Sequence, residues 1–312
     1  MAAIQAKMRI TGLRLSRQGR ENLNGYLFVL PWILSLLVFT AYPMVASIFF
    51  SMTRYNVLNP PQWVGVSNFH EMFFVDPLYW TSVANTAYFV FFSVPLGLGF
   101  GLILALLLNQ NVKGIGFYRT AFYLPGLVPA VASTLLWMLL LNPQLGMINQ
   151  FLGLFGIEKL GWLGSATWSK PGLILMSVWG GTGSTMLIFL AGLKEIPQSL
   201  IEAAMMDGAN AWQRFWVVTI PMISTTIFFN LIMGIIGSFQ VFASAYVAAG
   251  NGAGPLNTLL MYMLLLYRNA FRYFNMGYAS AMALALFVVL IFLTLLLVRS
   301  SRSWVHYEEA NR

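Results

Sequence analysis

The side chains that ordinarily carry covalent or metal chemistry are nearly absent. The 312-residue chain has no cysteine and two histidines, His70 and His306. A thiol nucleophile, a disulfide framework and a thiolate metal site are therefore excluded, and histidines this far apart argue against a shared metal centre. The densest glycine cluster, Gly180-Gly181-Thr182-Gly183-Ser184, lacks the lysine that a phosphate-binding loop requires and lies inside an apolar run. What remains is uncharged polarity set in apolar surroundings and one polar segment, Lys194 to Pro221 (KEIPQSLIEAAMMDGANAWQRFWVVTIP). Such groups can hydrogen-bond a solute or a protein partner, and they leave nucleophilic or metal catalysis almost no raw material.

The elements that hold these groups are set by composition. Hydrophobic residues make up 59% of the chain and charged residues 8%, against roughly 25% charged in an ordinary soluble domain. Apolar runs long enough to cross a hydrocarbon core of about 30 Å recur along the chain. Six spans are predicted, over about 26–51, 83–108, 120–141, 172–193, 223–247 and 277–298, which makes the fold all-α, a polytopic transmembrane helical bundle. A seventh run, Thr258 to Tyr267, is too short to cross and reads as an interfacial or re-entrant helix. The first apolar run is longer than the core of a secretory signal, so it reads as a retained span. The formal net charge is +8, but the basic residues sit in short connecting segments and not on one aromatic-interleaved face, so nucleic acid is not the expected partner. Counting them by side puts Lys7, Arg9, Arg14, Arg17, Arg20, Lys113, Arg119, Lys194, Arg214, Arg299, Arg302 and Arg312 together, against Arg54, Lys159, Lys170, Arg268 and Arg272. Positive residues collect on the cytoplasmic side, so both termini are expected inside. The layout is then a tail at 1–25, a membrane domain at 26–298 and a second tail at 299–312.

The segment at 194–221 does not read as a loop. Ser199 followed by Glu202 forms a capping-box pattern, so a helix should start there and end at Gly208; Asn210 followed by Gln213 repeats the pattern for a second helix carrying Trp212, Phe215 and Trp216 up to Pro221. Small residues at Ala203, Ala204 and Ala209 allow close approach, and Trp212 with Phe215 is expected to hold the two helices together. Two readings fit that spacing: a rigid docking knob, or an amphipathic hairpin resting on the membrane surface.

Glu202-Ala203-Ala204, Asp207-Gly208-Ala209, Phe215 and Ile220-Pro221 resemble the EAA loop of binding-protein-dependent importer permeases. Ile220 stands where the family often has leucine. Further segments resemble the carbohydrate-type permeases of maltose and glycerol-phosphate importers: Phe122-Tyr123-Leu124-Pro125, Pro129-Ala130-Val131-Ala132, Trp137 with Asn142-Pro143, Gly146 and Asn149, Ser238-Phe239-Gln240-Val241-Phe242, and Gly277-Tyr278-Ala279-Ser280-Ala281. Together they cover most of the chain after about residue 65. The resemblance implies the type I ABC importer permease fold in a bacterial inner membrane. It also implies that Glu202, Ala203, Ala204, Asp207, Gly208, Ala209 and Phe215 couple the chain to an ATP-binding subunit dimer. That dimer would hold ATP and Mg, with no cofactor in this chain. The other implied partners are a second homologous permease, an extracytoplasmic solute-binding protein, a sugar-like substrate and membrane lipid.

Polar side chains inside spans are costly unless they face a cavity or another helix. In the fifth span these include Thr225, Thr226, Asn230, Ser238 and Gln240; in the second, Asn85 and Thr86; in the fourth, Thr182, Ser184 and Thr185. A sugar path would combine amides with aromatic rings, which nominates Asn230, Ser238, Gln240 and Phe242 as path residues, while helix-to-helix bonding accounts for the same residues equally well. Gly97, Gly99 and Gly101 are expected to give a close-packing face, and Pro31, Pro43, Pro95, Pro125 and Pro129 to kink their helices. The rival reading is an ion-gradient-driven secondary transporter. It normally needs carboxylates within the membrane, whereas Asp76, Asp207 and every glutamate fall outside the predicted spans.

Overall fold

Backbone amides inside hydrocarbon find no water, so each apolar run must satisfy them within its own helix. The computed structural model describes residues 17–110, 113–250 and 252–306. Of the expected tails, residues 1–16 with Lys7, Arg9 and Arg14, and residues 307–312 with Arg312, lie outside the described residues. The chain opens with α1 (Arg17–Leu36), a π turn (Leu37–Ala41) and α2 (Tyr42–Ser51). A short antiparallel ribbon follows, β1 (Thr53–Arg54) on β2 (Gln62–Trp63) with Thr53 opposite Trp63, then α3 (Ser67–His70). The long α4 (Pro77–Leu108) leads to α5 (Ile115–Tyr123), α6 (Ala130–Leu140), α7 (Met147–Gly153) and α8 (Ser169–Glu195). After these come α9 (Gln198–Met206), α10 (Ala211–Arg214), α11 (Ile220–Met222), α12 (Ser224–Phe239), α13 (Ala243–Ala249), α14 (Tyr262–Tyr267) and α15 (Met276–Ser301).

Among the described residues, five helical runs are long and apolar enough to cross a membrane: Glu21–Ser51, Pro77–Leu108, Ser169–Glu195, Ser224–Ala249 and Met276–Ser301. They match five of the six predicted spans, four of them longer and the one expected at 223–247 shifted by one or two residues. The third span, expected over 120–141 with Pro125 and Pro129 as kink positions, is a bent pair, Ile115–Leu127 and Ala130–Leu140, turning through 98°. The cause is local. Pro129 has no N–H to continue the ladder, and the residue before a proline is driven out of the α region; Val128 accordingly sits at φ −72°, ψ 128°.

The bend is received by α8, the central helix. A Cβ on Gly183 would lie 2.6 Å from the Phe122 carbonyl oxygen and 2.9 Å from Tyr123 Cα, and one on Gly126 would lie 3.1 Å from the Gly180 carbonyl oxygen. The glycine cluster that lacks a phosphate-loop lysine is thus a seat for the broken span. Gly183→Val is expected to displace it, because backbone cannot yield as a side-chain tip does. Overpacking of this kind costs roughly 1–3 kcal/mol, and a lowered unfolding midpoint of the purified variant is the measurement that checks it. On α4 only one of the three expected packing glycines makes a close approach: Gly101 sits against Thr185, whereas Gly97 and Gly99 face open space.

Two prolines are absorbed without a sharp kink. Pro43 and Pro221 each follow a five-residue π turn, Leu37–Ala41 and Phe215–Thr219. A proline ring clashes with the carbonyl four residues back, and the extra residue in a π turn carries that carbonyl aside.

The run at 258–267 is buried rather than interfacial. Leu259, Leu260, Met261, Tyr262, Leu264 and Leu265 lie in the main hydrophobic cluster with Phe89, Leu173 and Met282. Its irregular backbone therefore needs partners, and the second span supplies them. Asn85 Nδ2 donates to the carbonyls of Asn257 (2.8 Å) and Leu260 (3.2 Å), and the Tyr262 N–H donates to Thr86 Oγ1 (2.9 Å). Asp76 caps α4 by accepting from the Leu78 N–H and also accepts from the Tyr278 hydroxyl at 2.7 Å.

Candidate functional site

The segment 194–221 folds as two short helices around a glycine turn. α9 starts at Gln198, one residue before the expected cap, and the Ser199–Glu202 box does not form. Pro197 holds φ −59°, ψ 127° and sets the extended residue before the helix, so Ser199 falls inside the first turn, where its hydroxyl is not at a cap position. The helix ends as expected. Gly208 takes φ +80°, its N–H donates to the Met205 carbonyl, and the Ala209 N–H reaches the Ala204 carbonyl at 2.9 Å; these two bonds are a Schellman closure. The second box forms in full: Gln213 N–H donates to Asn210 Oδ1 (2.9 Å) and Asn210 N–H to Gln213 Oε1 (2.8 Å). Arg214 Nη1 then donates to the Ala209 carbonyl (2.8 Å).

Trp212 does not join the helices. It is 68% exposed and stacks on Phe215 at 5.8 Å, with Trp216 edge-on to both. The turn and Arg214 hold the hairpin instead. Glu202, Ala203, Asp207 and Gly208 are exposed, Ala204 and Ala209 half-buried. Ala204, Asp207, Gly208, Ala209, Gln213 and Arg214 line a shallow pocket between the helices.

Beyond the hairpin, Thr226, Asn230, Gly234 and Ser238 recur every four residues and so share one face of α12. Thr226 fills the space left by Gly192 of α8, Gly234 lies against Val94 of α4, and Ser238 Oγ is 3.3 Å from Ser93 Oγ. Asn230 lies on that face, 6% exposed, with a buried Nδ2 that has no hydrogen-bond partner. Gln240 caps the end of α12 and is exposed. Phe242 turns the chain into α13, its ring 5.5 Å from Tyr246 and 4.9 Å from Tyr267. The four nominated residues thus divide: Gln240 and Phe242 stand at the α12–α13 break, while Asn230 and Ser238 lie in helix packing. Asn85 and Thr86 hold the buried segment, and Thr182 and Thr185 bond carbonyls of their own helix.

Sequence reasoning also missed the centre of the segment between α6 and α8. Asn149 donates to the carbonyls of Pro143 and Leu160 and accepts from the Leu160 N–H and Trp162 Nε1, the last at 2.8 Å. Asn149 lies on α7, and the signal available was its place, with Asn142-Pro143 and Gly146, in the segment that resembles the carbohydrate-type permeases.

Residues 97–306 match the family of binding-protein-dependent transport system inner membrane components. The chain belongs to this family. This permease is 46% identical over 291 residues to the probable ABC transporter permease protein YesP of Bacillus subtilis, covering 93% of this chain and 94% of that one. It is 32% identical to the trehalose/maltose transport system permease protein MalF of Thermococcus litoralis, over 91% of this chain and 95% of that one. In fold it is similar to a chain of a bacterial ABC transporter involved in the import of the acidic polysaccharide alginate, with TM-score 0.80, 24% identity, and coverage of 93% and 99%. The permease is a multi-pass membrane subunit of an ATP-driven importer and is not itself an enzyme. Among the described residues no group of three or more histidine, cysteine, aspartate or glutamate side chains is placed to hold a metal.

Proposed function

We propose that the permease forms half of a pore for a neutral sugar or small oligosaccharide, with both termini in the cytoplasm and the 194–221 hairpin as the docking element for a separate ATPase. The substrate reading is supported by relatives named for trehalose/maltose, lactose and arabinooligosaccharide transport, which align over most of their length. It is also supported by the chemistry at the α12–α13 break. There the exposed Gln240 amide stands two residues from Phe242, which gathers Tyr246 and Tyr267 around it. Amides pair with hydroxyls, and ring faces take the apolar side of a sugar. Asn230 and Ser238 belong to the path only in a state in which α12 has separated from α4 and α8; Asn230 is the better of the two, since its amide nitrogen has an unspent donor.

The observation that carries the docking reading is the doubly closed turn at Gly208 and Asn210, which makes the hairpin rigid enough to transmit force. Glu202, Ala203, Asp207 and Gly208 would present to the ATPase, with Ala204 and Ala209 flooring the pocket, while Phe215 would pass displacement into α12. Two ATPase copies carrying ATP and Mg, a second homologous permease and an external solute-binding protein complete the machine. The binding protein would engage the segments at about 52–82, 142–170 and 248–276, and nucleotide-driven closure would swing the pore between its two openings.

Affinity purification of the tagged permease from its own membrane in mild detergent, followed by mass spectrometry, tests this reading. Recovery of an ATPase, a second permease and a solute-binding protein that takes up a sugar is the expected result. A chain recovered alone and still competent for transport would overturn it.

A further inference from the structure

The end of α15 makes contacts that anchoring in a membrane does not require. After Ser301 the chain turns back and lays Ser303–His306 on the first turn of α12. The His306 N–H donates to Ser224 Oγ (2.9 Å), and the His306 carbonyl accepts from Thr225 Oγ1 (3.1 Å). Ser224 Oγ in turn donates to the Pro221 carbonyl (2.6 Å). Adjacent hydroxyls thus hold both backbone polar groups of one residue. Apolar contacts flank them: Trp304 lies edge-on to Phe228 with centroids 5.9 Å apart, and Val305 is 8% exposed.

These contacts sit at a mechanical joint. Ile223, fully buried at φ −91°, ψ 11°, is the break between α11, where the hairpin ends, and α12. On one side Thr226 wedges against Gly192 of α8; on the other, Ser224, Thr225 and Phe228 are held by residues 304–306.

We propose that Ser303–His306 is a positioning strap that ties the joint at Ile223 to α15, so that the hairpin, the base of α12 and the end of α15 move as one body during transport. The inference rests on the docking reading of the hairpin. Without the strap, displacement of the hairpin is absorbed by bending at Ile223; with it, the displacement also reaches α15. The strap works through the backbone of His306, so the imidazole is dispensable and the N–H is not.

The test uses the full importer complex in lipid nanodiscs. Spin labels are placed on this cysteine-free chain at Ser199→Cys and Arg302→Cys, both exposed positions. The label-to-label distance should stay the same in nucleotide-free and ATP-trapped states for the otherwise native chain and for His306→Ala. In His306→Pro, and in Thr225→Val as a second variant that leaves the tail backbone intact, the distance should change between states. Solute moved per ATP should also fall several-fold, with the ATPase still bound. The strap is overturned if the distance already changes in the native chain, or if both variants keep one distance and the native transport-to-hydrolysis ratio. A failure of docking itself is read separately, from whether Gly208→Pro retains the ATPase.

Discussion

Gly208→Pro is expected to leave the permease inserted in the membrane, strip the ATPase from it and reduce uptake to background. Two effects act at one residue. Proline requires φ near −65° whereas the turn holds +80°, and proline lacks the N–H that bonds the Met205 carbonyl. A penalty of about 3 kcal/mol or more is more than a hundredfold in the population of the closed hairpin. Gly208→Ala keeps the donor and meets only the left-handed strain of about 1–2 kcal/mol, so a loss of roughly tenfold is expected. Co-purification of the ATPase and solute uptake in vesicles are the two readings. Unchanged ATPase retention in the proline variant would remove this segment from the coupling role.

Asn85→Leu should destabilise the permease more than any conservative change in the spans. It strips the buried carbonyl of Leu260 and the half-buried carbonyl of Asn257 of their donor and takes from Lys170 the side-chain oxygen it bonds at 3.2 Å. Leaving buried polar groups unpaired costs roughly 1–3 kcal/mol each, so the sum is a large fraction of the margin of about 5–15 kcal/mol that holds a typical fold. The expected outcome is a fall in the unfolding midpoint on the order of 10 °C, read as loss of the monodisperse peak after heating in detergent. Thr86→Val removes one bond to the same segment and should lie between the variant and the native chain. If Asn85→Leu were as stable as native, the polar residues of this span would have to be reassigned to the path.

The spans were legible because apolar length is a one-dimensional signal, and the second half of the hairpin was legible because Asn210, Gln213 and Gly208 act on neighbours within five residues. Ser199 misled because it stands two residues past Pro197, whose extended backbone takes the cap position and leaves Ser199 inside the first turn. The bend in the third span was written in Val128-Pro129, but hydropathy has no direction and could not give its angle. Asn85 and Thr86 were ambiguous in principle. Their partners lie more than 170 residues away in sequence, and nothing local distinguishes a side chain that binds solute from one that satisfies a distant carbonyl. The same holds for Asn230, whose surroundings are supplied by α4 and α8.

The bent third span has a consequence for where its backbone can lie. Its arms, Ile115–Leu127 and Ala130–Leu140, are about 20 and 16 Å long at 1.5 Å per residue, and set nearly at right angles neither alone reaches across the roughly 30 Å of hydrocarbon. Irregular backbone at such a break is tolerated at membrane depth only where protein or a water-filled cavity covers it. The close approaches at Gly126 and Gly183 bring α8 against the break, so a side chain at Gly183 would uncover peptide groups as well as crowd a helix.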